Sequence, residues 1–486
     1  MNIAPASDIR LAEQELFATG ACSSEALMNV VIKRLRDALL REPMTAGFIP
    51  KRVVVYAGRG NNAGDALGLA ASYGCPVTLR TACRIEELSP DSRRQLFRIT
   101  APLSMESVEP QPDLLIIDGL LGSGAKGELR PPYAELVQEM NALRSASPRS
   151  LLLAIDIPTG LDADSGVTGQ QVVEADITAA IGCVKPGMLT DGAEDAVGRL
   201  LCIPLPEVTL HPCSTDKVLC LREIAGWLPR RPYSHFKNRA GRVEIIAGSP
   251  GYIGAAQLCA EAAVAAGAGL VNLHCPESIY PLLAVRVAPE IMVTPIPAHT
   301  MPDISRADAL VIGPGMGRLP QDDAAALYRL ICSTDRPVVL DADALNTAAE
   351  YGWHFRPNHI LTPHPGEMAR LAPNHASTRR ETALNFAARH SCTLLLKGAR
   401  SIIANADRLY YNSSGGPFMA NGGQGDVLAG CIGALSARGL TGIQAAALGA
   451  YACGRAAETA WAQSGYPQAI RASDVISHLG QQLPIA

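Results

Sequence analysis

A glycine-rich segment near residue 425 carries the residues of this sequence best suited to chemistry on a phosphoryl group. Gly422, Gly423 and Gly425 precede and open a predicted helix over 426–438, where bare N–H groups can stabilise phosphate charge. Asp426, in the first turn, is favoured there as a helix-capping carboxylate. A carboxylate beside an anion site can also take a proton from a hydroxyl that attacks phosphorus. We favour this catalytic interpretation because other segments of the chain fit it.

Four other segments in the second half follow strand-like runs, so their polar groups are expected at the same edge of one sheet. They are 308–317, 339–346, 360–368 and 395–401. His364, in the third segment, matches no zinc-binding spacing, and we interpret it as a contact residue in a rigid, proline-bracketed turn. Lys397, in the fourth, would either neutralise a nucleotide phosphate or end a strand in water.

Polar residues at strand ends also mark the first half of the chain. A glycine-rich turn after the first strand-like run would present N–H groups to an anion such as pyrophosphate, although a plain turn capped by Asn61 or Asn62 fits equally. Two further runs lead into Asp118 and into Asp156, with Thr159 close behind. Neighbouring parallel strands end at one crevice, so these side chains and Asn62 are expected to converge. Their oxygen atoms suit a hard cation better than zinc.

The elements that must position these groups are short strands alternating with helices, which indicates parallel sheets covered on both faces. In the first half the strand-like runs are Arg52–Ala57, Leu114–Asp118, Leu151–Asp156 and Ile177–Ile181. In the second half they are Val243–Ala247, Leu270–His274, Ala309–Ile312, Pro337–Asp341, Ile360–Thr362 and Leu394–Lys397. The alternation fails in a proline-rich stretch over 204–232. The predicted fold class is therefore α/β with two domains, 1–210 and 225–486, and residues 1–50 are expected to be two helices with little chemical content.

Composition excludes several classes of protein. A net charge of −4 over 486 residues argues against a protein that coats nucleic acid. The 13 cysteines are scattered without a C-x-x-C pair, which favours a reducing compartment over a disulfide framework. The first residues lack the pattern of a secretion signal, and no apolar run reaches the roughly 20 residues that span a bilayer. We expect a cytoplasmic enzyme with no nucleic-acid or membrane partner.

Four motifs occur in order in the first half: GNNAGDA (60–66), DGLLGSG (118–124), DIPTGLDAD (156–164) and KPG (185–187). Together they resemble the YjeF N-terminal domain, the NAD(P)H-hydrate epimerase family, over about residues 8–205. The resemblance implies a Rossmann-like three-layer domain with one potassium ion held by Asn62, Asp118 and Thr159. It places the hydrated cofactor against Asn61, Asn62, Ala63, Gly64, Asp65, Gly122, Ser123, Gly124, Ala125, Lys126, Gly127, Glu128 and Asp156.

Two roles in this half stay open. Asp156 would be either the catalytic base of the epimerase or a contact to the ribose or ring, and Lys185 would be either a phosphate or nicotinamide contact or a solvated loop lysine. The sequence also departs from the family's usual GNNGGDG, since Ala63 and Ala66 replace glycines. A methyl group at either position is expected to crowd the approach to phosphate or to change the turn.

The segments of the second half, with GRVEIIAGS (241–249) and the stretch 254–271, resemble the YjeF C-terminal domain over about residues 225–482. That family is the ADP- or ATP-dependent NAD(P)H-hydrate dehydratases, which have a ribokinase-like fold. The resemblance implies hydrate contacts from Ala255, Gly317, His364 and Asp426. It implies nucleotide contacts from Lys397, Gly398, Ala399, Arg400, Ser401 and Gly425. Gln424 stands where the family more often has serine or threonine, so nucleotide affinity or rate is expected to differ.

The expected function is repair of NADHX and NADPHX, the hydrated cofactors. The first half would interconvert the R and S hydrates, and the second would dehydrate the S hydrate with ADP as phosphoryl donor and magnesium bridging the phosphates. A homo-oligomer is expected. The alternative is a vitamin- or sugar-type kinase whose first domain binds nucleotide without catalysis, because such kinases share the glycine-rich helix start.

Overall fold

The computed structural model divides the chain into two compact units, Met1–Val218 and Leu219–Ala486. The structure describes residues 1–210, 214–297, 299, 302–373 and 378–483. The division falls inside the proline-rich stretch over 204–232, where the sequence loses its alternation of strands and helices. We describe each unit by itself.

The first unit is built on a seven-stranded parallel sheet in the order β3-β2-β1-β4-β5-β6-β7. Its strands are β1 (Arg52–Ala57), β2 (Val77–Thr81), β3 (Leu103–Ser104), β4 (Leu114–Gly119), β5 (Leu151–Ile155), β6 (Ile177–Ile181) and β7 (Arg199–Ile203), and β8 (Lys217–Val218) ends the unit. Its helices are α1 (Ala6–Ala18), α2 (Ser24–Arg41), α3 (Asn61–Ala71), α4 (Pro90–Leu96), α5 (Tyr133–Ala146) and α6 (Glu194–Val197).

Alternate residues of the central strand β1 enter two different cores, one on each face of the sheet. Val53, Val55 and Ala57 pack in the core that includes α1, α2 and α3, whereas Val54 and Tyr56 pack in the core that includes α5. This two-sided burial explains the unbroken apolar run of the strand. The chain order reverses between β1 and β4, so the loops after these strands open a crevice at the carboxyl edge of the sheet.

The second unit has a larger sheet in the order β11-β10-β9-β12-β13-β14-β15-β16-β17, parallel except for β16 and β17. Its strands are β9 (Arg242–Ile246), β10 (Leu270–Pro276), β11 (Ile291–Ile296), β12 (Ala309–Ile312), β13 (Val338–Leu340), β14 (His359–Leu361), β15 (Thr393–Leu396), β16 (Ile402–Ala404) and β17 (Leu409–Tyr411). Its helices are α7 (Leu221–Ile224), α8 (Ile253–Ala265), α9 (Tyr280–Ala284), α10 (Gln321–Cys332), α11 (Asp343–Tyr351), α12 (Pro365–Leu371), α13 (Arg379–His390), α14 (Gln424–Ala437), α15 (Gly442–Gln463) and α16 (Ala472–Leu479).

Helix α14 is enclosed by protein, and residues 427–436 are all buried. Its small residues allow this close packing: a Cβ at Gly430 would lie 2.0 Å from the carbonyl oxygen of Cys259 on α8. Packing between α8, α14 and the sheet fixes the direction in which α14 points. The glycine-rich turn at its N-terminus is thereby held over the carboxyl edge of the strands.

The prediction of an α/β chain with two units is confirmed, and the strands expected from the sequence occur within two residues of their predicted bounds. Seven strands were not predicted: β2, β3, β7, β8, β11, β16 and β17. Four of them (β3, β8, β16 and β17) have only two or three residues, which is too short to show a period. All 12 cysteines in the described ranges are free thiols. No helix in the described part of the chain is long and apolar enough to cross a membrane.

Candidate active sites

Three oxygen-bearing side chains meet at the carboxyl edge of the first sheet. The Thr159 hydroxyl donates to Asp118 Oδ1 at 2.8 Å, and the Thr159 N–H donates to Asp118 Oδ2 at 2.8 Å. The side-chain amide of Asn62 donates to the carbonyl of Leu121 at 2.9 Å, and the Leu121 N–H donates to the Thr159 hydroxyl at 3.2 Å. The structure therefore places Asn62, Asp118 and Thr159 in one connected cluster.

Asp118 is an unusual carboxylate because it is fully buried. Burial raises its pKa to about 6, although hydrogen bonds from Thr159 and from the Leu120 N–H work in the opposite direction. Within the described ranges, no lysine or arginine pairs with it. A buried carboxylate surrounded by neutral oxygen atoms is a chemically suitable partner for a hard monovalent cation.

A cleft of about 520 Å³ opens beside this cluster. The residues predicted to contact the hydrated cofactor that line it are Asn61, Asn62, Asp65, Gly122, Ser123, Gly124, Ala125 and Asp156. Five others do not line it: Ala63 and Gly64 are buried, Lys126 pairs with Asp164 at 3.2 Å, Glu128 accepts the N–H of Gln170 at 3.1 Å, and Gly127 lies between these two. The second half of the loop over 122–128 thus turns away from the cleft.

Asp156 and Lys185 form an ion pair in the cleft wall. Lys185 is buried, and its ammonium also donates to the carbonyls of Ile181 at 3.1 Å and Cys183 at 3.2 Å. Burial lowers the pKa of Lys185, but the charge and hydrogen bond of Asp156, together with the charges of Cys183 and Glu13, outweigh it and hold that pKa above its usual value. The expectation of a solvated loop lysine is therefore wrong. Asp156 itself adopts φ 66°, a strained backbone conformation that turns its side chain at the end of β5.

Two further carboxylates line the cleft. Asp65 Oδ1 is buried without a hydrogen-bond partner among the described residues, and burial, then Asp156 and Glu13, raise the pKa of Asp65 well above its usual range. Glu13 and Arg10 reach the cleft from α1. Glu13 and Arg10 were not predicted from the sequence as cleft residues, because α1 carries no motif and residues 1–50 were expected to have little chemical content.

The methyl groups of Ala63 and Ala66 do not face the cleft. Both residues are fully buried in the core between α3 and the sheet. Ala66 fits because residue 119 on β4 is glycine: a Cβ at Gly119 would lie 2.6 Å from the Ala66 Cβ. The Ala66 methyl is therefore accommodated on the strand side, and neither methyl group lines the cleft.

This complementarity predicts the behaviour of a residue exchange. We expect Gly119→Ala to destabilise the first unit by about 1–3 kcal/mol, because the added methyl overpacks the core. Ala66→Gly in the same chain should recover part of that loss, less the roughly 1 kcal/mol that glycine costs in a helix. Hydrogen exchange of the β1 and β4 amides measures the effect. A double variant whose loss of protection equals the sum of the losses in Gly119→Ala and Ala66→Gly alone would show that the two residues are not coupled.

In the second unit, Asp426 lies in the first turn of α14, preceded by Gly423 with φ 93°. In the part of the chain that the structure describes, no side chain caps this helix. Burial raises the pKa of Asp426 to about 7; the charges of Asp341 and Asp343 add to this, and Lys397 opposes it. The described residues therefore give no support to the capping interpretation, and the role of Asp426 as a general base stays a prediction.

An ion pair between buried Asp341 and partly buried Lys397 lies beside Asp426. The Lys397 ammonium lies 2.5 Å from Asp341 Oδ1, which also accepts the Thr362 hydroxyl at 2.8 Å. Asp341 Oδ2 is buried and has no hydrogen-bond partner among the residues described. A Cβ at Gly425 would lie 3.2 Å from the Lys397 nitrogen, so the helix start and the lysine are in close approach. Lys397 is therefore not a solvated lysine at the end of a strand. Its ammonium pairs with Asp341 and lies close to the glycine-rich turn.

The other predicted hydrate contacts are grouped at the switch between β9 and β12. The Gly317 N–H donates to Asp343 Oδ2 at 2.8 Å, and a Cβ at Gly315 would lie 2.9 Å from the Cβ of Ala255. Ala255 on α8 and Gly317 after β12 are thereby brought to the same edge of the sheet. Asp341 and Asp343 belong to the motif VLDADALN, but no role was assigned to them from the sequence; their position directly after β13 was the available signal.

His364 is the N-cap of α12. Its Nδ1 accepts the N–H groups of Gly366 at 3.0 Å and Glu367 at 3.3 Å, and its Nε2 lies 3.5 Å from a Glu367 oxygen. The Lys397 N–H donates to the carbonyl of Pro363 at 2.8 Å, which joins this turn to the Asp341–Lys397 pair. The His364 ring is half-exposed, so one side of it contacts the start of α12 while the rest is accessible to solvent.

Five of the six predicted nucleotide contacts form the connection between β15 and β16: Lys397, Gly398, Ala399, Arg400 and Ser401. The sixth, Gly425, lies in the first turn of α14, beside Lys397. The Ser401 hydroxyl donates to the Gly398 carbonyl at 3.2 Å, and Gly398 with Ala399 is exposed. The Gln424 side chain donates to Asn421 at 3.1 Å, so its amide leans on the loop before α14.

Comparison with known proteins matches both halves of the chain. A family model described as NAD(P)H-hydrate dehydratase matches residues 243–479, and one described as YjeF-related protein N-terminus matches residues 24–187. The bifunctional NAD(P)H-hydrate repair enzyme Nnr of Moorella thermoacetica is 34% identical over 88% of this chain and 87% of its own length. The enzyme of the same name from Escherichia coli is 34% identical over 98% of this chain and 92% of its own length.

A solved structure also resembles the second unit. It is an ADP/ATP-dependent NAD(P)H-hydrate dehydratase from Bacillus subtilis, co-crystallised with ATP/Mg2+. It is 28% identical, covers 55% of this chain and 97% of its own, and has a TM-score of 0.48.

Proposed function

Because the chain belongs to the family of bifunctional NAD(P)H-hydrate repair enzymes, we propose that its first unit epimerises the hydrated cofactors and its second dehydrates the S form. The observation that supports this most directly is Asp426, held near neutrality in the first turn of a glycine-opened helix and beside the Asp341–Lys397 pair.

In the second unit, Asp426 as carboxylate takes the proton of the hydroxyl on C6 of the hydrated ring. That oxygen attacks the terminal phosphorus of ADP, which leaves AMP and a phosphate ester at C6. The C6–O bond of this ester then breaks and inorganic phosphate leaves. C5 loses a proton, and the dihydropyridine of NADH or NADPH is restored. The N–H groups at the start of α14 stabilise the phosphoryl charge, and the Lys397 ammonium adds a positive charge beside them.

One carboxylate oxygen in particular makes this site suitable for a magnesium ion. The buried Oδ2 of Asp341 has no hydrogen-bond partner among the described residues, and a carboxylate oxygen is the ligand type that Mg²⁺ prefers. We propose that Asp341 would hold the ion through this oxygen. When bound, the ion neutralises charge on the phosphates.

In the first unit, the cleft receives the nicotinamide end of the hydrate against Asn61, Asp65, Gly122–Ala125 and Asp156. Potassium fits the neighbouring cluster, because Asp118 is a buried carboxylate that lacks a cationic side chain within the described ranges. We propose that Asn62, Asp118 and Thr159 hold the ion. The ion supplies a positive charge near the cleft that no side chain of the cluster provides.

Removing this carboxylate should uncouple the epimerase from potassium. We expect Asp118→Ala to abolish the rise of epimerase rate with potassium concentration, because the charged ligand is gone. Dehydratase activity in the same protein should be unchanged, and that activity serves as the control for an intact chain. An unaltered potassium dependence would show that the ion binds elsewhere.

One assay tests both activities. The purified chain is given the S hydrate with ADP, and recovery of absorbance at the reduced-nicotinamide band reports dehydration. It is then given the R hydrate alone, and chromatography follows formation of the S hydrate against the spontaneous rate. Phosphorylation of another alcohol without recovered absorbance would favour the kinase alternative. No acceleration with the R hydrate would remove the epimerase proposal.

A further inference from the structure

Helix α1 forms one wall of the epimerase cleft. Ile9, Arg10 and Glu13 project from it into the cleft, at the spacing that places side chains on one face of a helix. The range matched by the N-terminal family model begins at residue 24, after this helix. The helix therefore contributes to the cleft without belonging to any motif that marks the site.

Several contacts fix α1 against the loops that follow the strands. The Ala6 N–H donates to Asp164 Oδ1 at 3.1 Å, and the Ala4 N–H donates to the Val184 carbonyl at 3.1 Å. A Cβ at Gly124 would lie 2.7 Å from an Arg10 nitrogen, and one at Gly182 would lie 2.7 Å from Ile9. These contacts hold the N-terminal part of α1, and with it Glu13, in a fixed position relative to the cleft.

The carboxyl groups of this cleft are in contrasting environments. Burial raises the pKa of Glu13 to about 7, the charge of Asp156 raises it further, and Lys185 opposes the change. Near neutral pH, Glu13 can therefore carry a proton. Asp156 forms an ion pair with Lys185 and lines the same cleft. A carboxyl group that can give a proton thus shares the cleft with a carboxyl group paired to an ammonium group, an arrangement that suits an acid and a base.

We propose that Glu13 is a catalytic residue of the epimerase, acting with Asp156 as an acid–base pair at C6 of the hydrated nicotinamide ring. The proposal rests on the epimerase function proposed above and on Glu13 and Asp156 lining the same cleft.

The step balances as follows. Glu13 gives its proton to the C6 hydroxyl, the C6–O bond breaks, water leaves, and the N1 lone pair forms an N1=C6 bond. A water molecule then adds to the other face of C6, the N1=C6 electron pair returns to N1, and Asp156 takes a proton from that water. In total one proton has passed from Glu13 to Asp156, and proton exchange with solvent returns both carboxyl groups to their starting protonation states. The reverse sequence converts the S hydrate to the R hydrate.

The test compares Glu13→Gln with Glu15→Gln, two residues of the same helix of which Glu15 is exposed. We expect Glu13→Gln to lower the epimerase rate by about 100-fold, within the range that one acid–base group contributes. Glu15→Gln should leave it unchanged. Dehydration of the S hydrate in the same preparations shows that the second unit is intact, and hydrogen exchange of the β1 and β4 amides shows that the first unit is folded.

The pH profile separates a catalytic role from a structural one. The charged groups lining the cleft around Glu13 are Arg10, Arg59, Asp65, Asp156 and Lys185. Since the acid must be protonated, the wild-type rate should fall as pH rises through about 7, and Glu13→Gln should lose this limb. A wild-type rate in Glu13→Gln, or an unchanged limb, would overturn the proposal. Absence of epimerase activity in the wild type would instead overturn the function on which it rests.

Discussion

Asp426→Asn should abolish recovery of reduced nicotinamide from the S hydrate, with a loss of rate on the order of 10²–10⁴. The amide has nearly the same shape as the carboxylate but cannot accept the substrate proton. Nucleotide binding, measured by calorimetry, and epimerisation in the first unit should persist. Retained dehydration would show that another base acts.

Asp474→Asn is a matched control for this substitution. Asp474 occupies the third position of α16, as Asp426 does in α14, but it accepts the Arg471 N–H as part of a helix cap. Its replacement should cost stability of roughly 1 kcal/mol and leave dehydration intact. Loss of activity in both variants would point to a general effect on helix ends.

The pH dependence of dehydration follows from the same environment. Burial, followed by the charges of Asp341 and Asp343, holds the pKa of Asp426 at about 7 against the effect of Lys397. A base acts only when ionised, so kcat/KM for the S hydrate should rise with pH through about 7 and level off above it. A rate that is constant from pH 5 to 8 would contradict the assignment.

Lys185→Met should strongly destabilise the first unit, by about 3 kcal/mol, because it leaves the partly buried carboxylate of Asp156 without its partner. It also removes the donor to the carbonyls of Ile181 and Cys183. Hydrogen exchange of the β5 and β6 amides in the full chain measures the loss. The three tryptophans, Trp227, Trp353 and Trp461, all lie in the second unit, so their emission gives an internal reference for that unit.

Lys126→Met provides the comparison at the surface. Lys126 pairs with Asp164 at 3.2 Å, but its side chain is 65% exposed. Its replacement should change stability by less than about 1 kcal/mol. Similar losses of protection in the two lysine variants would show that the buried pair contributes no more than a surface pair.

Much of the fold could be predicted from the sequence, because buried parallel strands are continuous apolar runs and their ends carry the polar groups. This is why Asn62, Asp118 and Thr159 were expected together, and the structure does bring them together. The prediction followed from topology alone: neighbouring strands end at one edge.

The burial of lysines could not be predicted in the same way. Lys185 and Lys397 each follow a strand, and the sequence at a strand end fits a solvated lysine as well as an ion-paired one. The difference depends on the carboxylate partner, Asp156 or Asp341, which lies 29 residues away from Lys185 and 56 from Lys397. The contribution of helix α1 to the cleft was missed for a related reason, since the helix carries no motif and reaches the cleft only through packing against distant loops.

The fit between Ala66 and Gly119 limits the order in which this pair of positions can change during evolution. One methyl group occupies the space between helix α3 and strand β4, and there is no room for two. A lineage that moves the methyl from the helix to the strand must first lose it from the helix, passing through a chain with glycine at both positions. Relatives of this chain are therefore expected to have alanine at one position or the other, or glycine at both, but not alanine at both.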